Sequence, residues 1–436
     1  MSFKIEFIDK EITAWGGFSL LKMMLDKMHF SEVLSSSGLP TQGSNRGYSP
    51  EQLIMHFWLG IWSGANRFEH LEVTRFDTVL QKLFGWKRMA GNKAIKRYFN
   101  KFNQATNQHV FDYLYSWFFS NLIFDNYTLD FDSTVLTRYG NQQGAALGYN
   151  PKKPGRKSHH PIIAFVDDMR MIANLWLRPG DSYTTNNFLS FLEDTLNKLG
   201  NKTAKLIRAD SGFHGKEIFE YLENKKLNYI IASRLYLPIK RKLANHKTWL
   251  KLGDGIEIAE TTYKAEDWDK PRRIIMVRQH INRRPKAAGK QLRLFEDEEV
   301  YKNYRYSCFF TNLDLPAKVV YETYRGRADS ENRIKELKYD FGFDSFNLND
   351  FWATEAALNF IMMAYNMISL FRQAVLDTKN QKFLKTIRYK TFAIGGYIVK
   401  NGNSKILKLS LQMKRREWFK GLWNSSSNLQ WPYAPT

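Results

Sequence analysis

Five short stretches decide the fold: YTLDFDSTV (127–135), HPIIAFVDD (160–168), MIANLWLRP (171–179), AKLIRADSG (204–212) and NYIIASRLY (228–236). Each is a run of apolar and β-branched residues closed by polar or turn-forming ones, the pattern of a short strand. Residues 183–199 and 216–224 carry apolar residues at helical spacing and fall between the later strands. Three successive strands, then strands alternating with helices, predict an α/β fold with a mixed sheet flanked by helices.

Upstream, helical periodicity in 18–34, 50–62, 68–84 and 110–123 predicts an all-helical domain over residues 1–123. Pro50 after Ser49 suits a helix start. Within this domain GNKAIKRYFNKF (91–102) sets Lys93, Lys96, Arg97 and Lys101 on a short helix. That suits a helix-turn-helix reader of a DNA major groove, and equally a solvated basic face. Downstream, residues 236–305 break the α/β pattern with IEIAETTYKA (256–265), RRIIMVRQHI (272–281) and a loop INRRPKAAGKQ (281–291), an expected β-rich insertion. Strand-like YSCFFTNL (306–313) then leads past Pro316 into one helical run, 317–339, and a second helix over 351–376. The last segment holds an expected hairpin, FAIGGYIVKNGNSKILKLSL (392–411), turning at Asn401-Gly402. The expected domains are therefore 1–123, helical and DNA-binding; 124–235, the first part of an α/β core; 236–305, the insertion; 306–376, the rest of the core; and 377–436, a basic C-terminal region.

A net charge of +22 over 436 residues raises self-repulsion and attracts polyanions. No low-complexity basic tail or amphipathic basic helix stands out, so a nucleic acid is a better partner than a membrane surface. The single cysteine, Cys308, excludes an intrachain disulfide and argues against a cysteine zinc site, which fits a reducing, cytoplasmic setting. MSFKIEFIDKEI at the start lacks the apolar core of a signal peptide, and 351–376, the most apolar stretch, is broken by Glu355, Asn359 and Asn366. No G-x-x-x-x-G-K-[ST] loop is present, so nucleotide hydrolysis is not implied.

Three acids sit where regular elements end: Asp132 in LDFDST, Asp210 in IRADSG and Glu331 in YRGRADSENRIKELK. Alone, each reads as a turn former or helix cap. Together, in a basic chain, they suit hard divalent cations, Mg²⁺ or Mn²⁺, which prefer oxygen ligands. Two such ions, roughly 3.5–4 Å apart, serve in-line phosphodiester cleavage. In a continuous helix Tyr324, Arg327, Glu331, Lys335 and Lys338 share an arc of about 80°, beside an apolar stripe of Ile334, Leu337 and Phe341. This pattern equally describes an exposed helix knitted by Arg327–Glu331 and Glu331–Lys335 pairs. Asp130 shares a strand face with Asp132 and is read as structural, while Asp167 and Asp168 suit a turn. His159 and His160, beside GRKS, are candidates to reach phosphate or DNA but lack zinc-ligand partners at suitable spacing. His214 lies close to Asp210 in sequence and suits a helix start as well as a site.

The spacing of Tyr324, Arg327, Glu331 and Lys338 resembles the Tyr-x₂-Arg-x₃-Glu-x₆-Lys signature of insertion-sequence DDE transposases. Asp132-Ser133-Thr134 and the R-A-D-S-G-F run from Arg208 to Phe213 look like one subgroup of that superfamily, DDE group 1. The resemblance implies a ribonuclease H-like core with Asp132, Asp210 and Glu331 as the metal-binding triad. By the same resemblance Tyr324, Arg327 and Lys338 would contact the transposon-end backbone near the scissile phosphate. From their spacing alone, Lys335 on the same helical run, and Lys93, Lys96 and Arg97 on the basic N-terminal helix, are further candidate DNA contacts. The resemblance further implies double-stranded DNA partners, terminal inverted repeats and target, a homodimer in the DNA complex, and a bacterial host. In some relatives a Trp of the insertion stacks on a flipped base beside a DNA hairpin, and Trp249 and Trp268 are the candidates here. The implied reaction is cut-and-paste transposition. Two competing readings are a nuclease without strand transfer and a non-catalytic, transposase-derived DNA-binding protein.

Overall fold

The computed structural model describes residues 3–43, 47–281, 303–377 and 382–435. The expected loop at 281–291 lies outside the described residues from 282 onward. The chain divides into two compact units, one made of residues 1–123 with 335–436 and the other of 124–334.

The second unit is built on a nine-stranded sheet. Its strands are β1 (Tyr127–Ser133), β2 (Ile162–Val166), β3 (Met171–Trp176), β4 (Ala204–Ala209), β5 (Tyr229–Ala232), β6 (Leu250–Gly253), β7 (Ile256–Tyr263), β8 (Arg272–His280) and β9 (Tyr304–Thr311). The order across the sheet is β3-β2-β1-β4-β5-β9-β8-β7-β6. β2 runs antiparallel to both β1 and β3, whereas β1, β4 and β5 are parallel. The first five strands thus have the 3-2-1-4-5 order of a ribonuclease H-like core. Helix Phe188–Leu199 packs on β3, and Lys216–Asn224 connects β4 to β5.

The insertion does not stand apart as a module of its own. β9 pairs antiparallel with β5, and β8, β7 and β6 follow in turn, so the insertion lengthens the core sheet. The reason is a shared apolar face: Leu206 and Ile230 of the core, Ile258, Ile275 and Val277 of the insertion, and Phe309 form one buried cluster with Val320 of helix Ala317–Arg325. Breaking it would expose apolar surface worth about 25 cal/mol per Å².

The first unit is helical apart from the hairpin Gly396–Asn401/Ser404–Leu409 and isolated bridges such as Thr13 to Gly396. Its axis is helix Phe351–Ala374, buried without a break from Ala353 to Arg372. This corrects the expected boundaries, since 351–376 was assigned to the α/β core. A helix apolar all round must be enclosed on every side, and helices Pro50–Ser63, Asn92–Phe99 and Gln104–Ser120 supply the enclosure. Trp58 and Trp62 donate their indole N–H groups to the carbonyls of Phe360 and Ala364, at 2.8 and 3.3 Å. Asn107 reaches the Glu355 carboxylate at 3.0 Å, and Tyr115 the Asn359 amide oxygen at 3.3 Å. Glu355 and Asn359, two of the polar residues that interrupt this apolar run, are therefore contacts with helix Gln104–Ser120. No described helix is long and apolar enough to cross a membrane.

The hairpin turns one residue later than expected. Asn401 pairs with Ser404, leaving Gly402 and Asn403 as the loop, and of these two only Gly402 has a positive φ, +58°. That is the II′ geometry, with glycine first, rather than the I′ turn of an Asn-Gly loop.

His56 is fully buried in the first unit beside Thr74, and burial lowers its pKa to about 4. The unfolded chain takes up this proton near pH 6.5 while the folded chain refuses it. Stability is therefore complete above about 6.5 and is lost as pH falls toward 4, by on the order of 3 kcal/mol. Urea titrations of wild type and His56→Asn across this window are expected to show a shallower pH slope in the variant.

Candidate active site

β1 and β4 are neighbouring parallel strands in which Asp130 faces Arg208 and Phe131 faces Ala209. One residue further along, Asp132 and Asp210 come side by side at the carboxyl ends of their strands, about 5 Å apart along the backbone. Residues two apart share a face, so Asp130 and Asp132 point to the same side as Arg208 and Asp210. Glu331, near the start of helix Ala328–Asp340, completes the group. Burial pushes the Asp132 carboxyl up to about 6; the Arg327 guanidinium opposes the rise, while Asp210 and Glu331 add to it. Asp132 thus lies near enough to both Asp210 and Glu331 to feel their charges.

Their side chains are held by local contacts. Asp132 accepts from its neighbour's N–H, that of Ser133, at 2.8 Å, and its second oxygen lies 3.3 Å from the Arg327 guanidinium. Asp210 accepts from the N–H of Gly212 at 2.8 Å, capping the single turn Ser211–Phe213. Arg327 is buried, donates to the Phe131 carbonyl at 3.0 Å, and keeps a buried Nε without a partner among the described residues. Burial disfavours its charge, and Asp132, Tyr324 and Asp210 around it more than restore it. The ring of Tyr324 lies 4.3 Å from that of Phe309, with its hydroxyl 3.5 Å from the Ala209 carbonyl. A cavity of about 420 Å³ adjoins them, lined by Tyr324, Arg327 and Glu331 on one side and by Val277, Arg305 and Phe309 on another.

The expected single helix over 317–339 is two helices, Ala317–Arg325 and Ala328–Asp340. The cause is Arg208. Its guanidinium donates to the Thr323 carbonyl at 2.7 Å, so that carbonyl is taken by a side chain. The N–H of Arg327 bonds instead to Tyr324, three residues back, at 3.0 Å. Gly326 sits at the break, where a Cβ would stand only 2.7 Å from Arg208. The common arc of five side chains therefore does not exist. Tyr324 and Arg327 belong to the end of one helix and the break, Glu331 to the next, and Lys335 and Lys338 fall in the first unit.

Arg208 also holds two carboxylates. It makes a bidentate pair with Asp130, at 2.6 and 2.7 Å, and reaches Asp167 at 2.8 Å. Asp167 in turn receives buried Arg333, which also holds Asp329. Asp167 is thus an ion-pair hub as well as a turn residue, and Asp168 accepts from the N–H of Thr128 at 2.8 Å. This network was not foreseen, although Asp130 and Arg208, each two residues before a candidate acid, carry its signal.

The remaining candidates sit in varied surroundings. His159 is buried between Arg138 and the Gln143 carbonyl, and burial lowers its pKa to about 4, so it is a neutral structural residue. His160 is buried against the Ser182 carbonyl. His214 lies in an aromatic cluster with Phe219, Tyr236, Trp268 and Phe310. Trp268 belongs to that cluster and is buried, which removes it as a platform for a flipped base. Trp249 is half-buried under Arg278, 4.4 Å from the ring. In the first unit Lys93 and Arg97 are exposed, while Lys96 is paired with Glu69 at 2.5 Å.

Transposase DDE domain group 1 matches this chain over residues 2–431. The chain belongs to that transposase family. It is an enzyme that cuts and rejoins DNA, and the family uses divalent metal ions. No curated protein is significantly similar to this transposase. A cryo-EM structure of a piggyBac transposase synaptic complex with hairpin DNA is similar over 86% of this chain and 78% of that one, at 14% identity and a TM-score of 0.47.

Among the described residues, no three of the His, Cys, Asp or Glu side chains stand close enough to ligate one ion together. The donor chemistry nevertheless fits. Asp132, Asp210 and Glu331 offer hard oxygen atoms, and burial, with smaller contributions from Asp210 and Glu331, makes the Asp132 charge costly, a cost a divalent cation would relieve.

Asp130 and Asp132 should separate by stability. Removing Asp130 takes the bidentate partner from buried Arg208, so Asp130→Ala should lose stability, by less than the roughly 3–5 kcal/mol of a fully stranded charge because Asp167 still faces Arg208 at 2.8 Å. Asp132 has a folded pKa above its unfolded value, so its stabilising effect is present at low pH and lost as pH rises through about 6. At pH 7 Asp132→Asn should therefore be neutral or stabilising, and urea unfolding of both variants checks the contrast.

Proposed function

We propose that Asp132, Asp210 and Glu331 are the catalytic carboxylates of this transposase. In this reading they hold two Mg²⁺ ions, replaceable by Mn²⁺, while a phosphodiester at the element end is hydrolysed and the freed 3′-hydroxyl attacks target DNA. The observation that carries it is the placement of Asp132 beside Asp210 at the ends of adjacent parallel strands, with Glu331 close enough to raise the Asp132 pKa. When bound, the ions supply Lewis-acid stabilisation of the attacking and leaving oxygens.

The protein's own groups do the positioning. Arg327 has one buried donor still to satisfy, suited to a non-bridging phosphate oxygen of the strand being cut. Its pairing with Asp132 neutralises that carboxylate in the absence of an ion. Tyr324 lines the cavity beside Glu331 and would brace the sugar–phosphate backbone against Phe309. Lys335 and Lys338, and separately Lys93 and Arg97 of helix Asn92–Phe99, are further candidate contacts with transposon-end phosphates; Lys96, held by Glu69, contributes less. The helical N-terminal segment would bind the terminal inverted repeats. Two copies of the chain would bring two ends together, in the cytoplasm of a bacterial host.

Asp132→Ala, Asp210→Ala and Glu331→Ala are each expected to abolish cleavage, by at least a thousandfold, while end binding persists. Labelled element ends with Mg²⁺, resolved on denaturing gels, measure cleavage and joining together, and gel shifts measure binding. Normal joining of pre-cut ends by any of the three variants would remove that residue from the site. Arg327→Lys keeps the charge but loses the fork, and should lower the cleavage rate about ten- to a hundredfold.

A further inference from the structure

We infer that the hairpin Gly396–Asn401/Ser404–Leu409 is a DNA-gripping β-ribbon, with Lys400 and Lys405 at its tip set against duplex phosphates. The inference rests on the transposase reading and concerns a surface outside the carboxylate site.

Charge is the first ground. Residues 382–435 hold eleven Lys and Arg against one acid, Glu417, so nearly half of the net charge of +22 lies in this segment. Not all of it is available. Arg388 is engaged with the carbonyls of Trp62 and Ile61, and Lys420 pairs with Glu417. Lys400, Lys405 and Lys408 are exposed, and none has an acidic partner among the described residues.

The second ground is register. Lys400 stands directly opposite Lys405, and Lys408 opposite Tyr397. Like charges facing each other across an antiparallel pair destabilise it, and a two-stranded ribbon is marginal to begin with. The next helix, Met413–Ser427, adds Lys414, Arg415 and Arg416 in its first turn, where the helix dipole disfavours cations. Folding gains nothing from this crowding, whereas a polyanion relieves it.

Shape is the third. Beyond the two lysines the tip is Asn401, Gly402, Asn403 and Ser404, all exposed, small and polar. A two-stranded ribbon fits a major groove about 12 Å wide, with its tip amides at the base edges and its lysines at the flanking phosphates.

The test uses full-length protein carrying Lys400→Gln and Lys405→Gln, with fluorescence anisotropy on a random-sequence duplex and on a duplex of the element's terminal sequence, across a salt series. Losing two phosphate contacts should reduce the slope of log Kd against log salt by about 1.8 and weaken binding about tenfold or more near physiological salt. A drop on both duplexes marks a phosphate grip, and a drop confined to the terminal sequence marks base reading; either supports the ribbon. The variant's melting temperature should be equal or higher, since a repulsion is removed. Equal affinity and slope for variant and wild type on both duplexes overturns the assignment, as does a loss seen only on anionic phosphatidylserine vesicles. Failure of the wild type itself to bind either duplex would instead sink the transposase reading.

Discussion

The buried guanidinium of Arg208 is the constraint on which the second unit turns. It sits on β4 opposite Asp130 of β1 and grips that carboxylate through two hydrogen bonds. A one-residue slip between these parallel strands would send one partner to the opposite face and leave two charges buried alone, at a cost of several kcal/mol. The ion pair therefore pins the register one pleat below the strand ends. Because side chains repeat every two residues, the same pin brings Asp132 level with Asp210.

Arg208 reaches the third acid by a different route. By occupying the Thr323 carbonyl it ends helix Ala317–Arg325 and lets a new helix begin at Ala328, with Glu331 in its first turn. An acid there is favoured by the helix dipole, which offsets part of the repulsion from its two neighbours. Arg327, in the break, turns inward to Asp132 instead of lying along a helix face. One buried side chain thus sets both the pairing of the strands and the approach of the helix that carries Glu331.

Much of this was legible in the sequence. The apolar runs ending at Ser133, Val166, Trp176, Ala209 and Ala232 mark the core strands because strand burial leaves a local pattern. Asp132 and Asp210 stood out as candidates because they sit where those runs end, and Glu331 because of its place in the Tyr324-to-Lys338 spacing. What escaped depends on non-local partners. The break at Gly326 requires Arg208, more than a hundred residues earlier. Helix Phe351–Ala374 looks like any apolar helix until Asn107, Trp58 and Tyr115 are seen to satisfy its polar groups and backbone. Trp268 and Trp249 are equivalent in sequence context, and only the aromatic cluster around the first separates them.

The pairing of β9 with β5 has one more consequence. A ribonuclease H-like core cut off at β5 would present a bare strand, Tyr229–Ala232, whose unpaired amides and carbonyls invite other chains to add on. The returning strand covers that edge and passes the open position outward to β6, which is only four residues long and ends in glycine. Short, poorly templating edges resist aggregation. The strand that covers β5 belongs to the core, so removing the insertion strands would move the open edge back to the eight-residue β9, a longer template for other chains than β6.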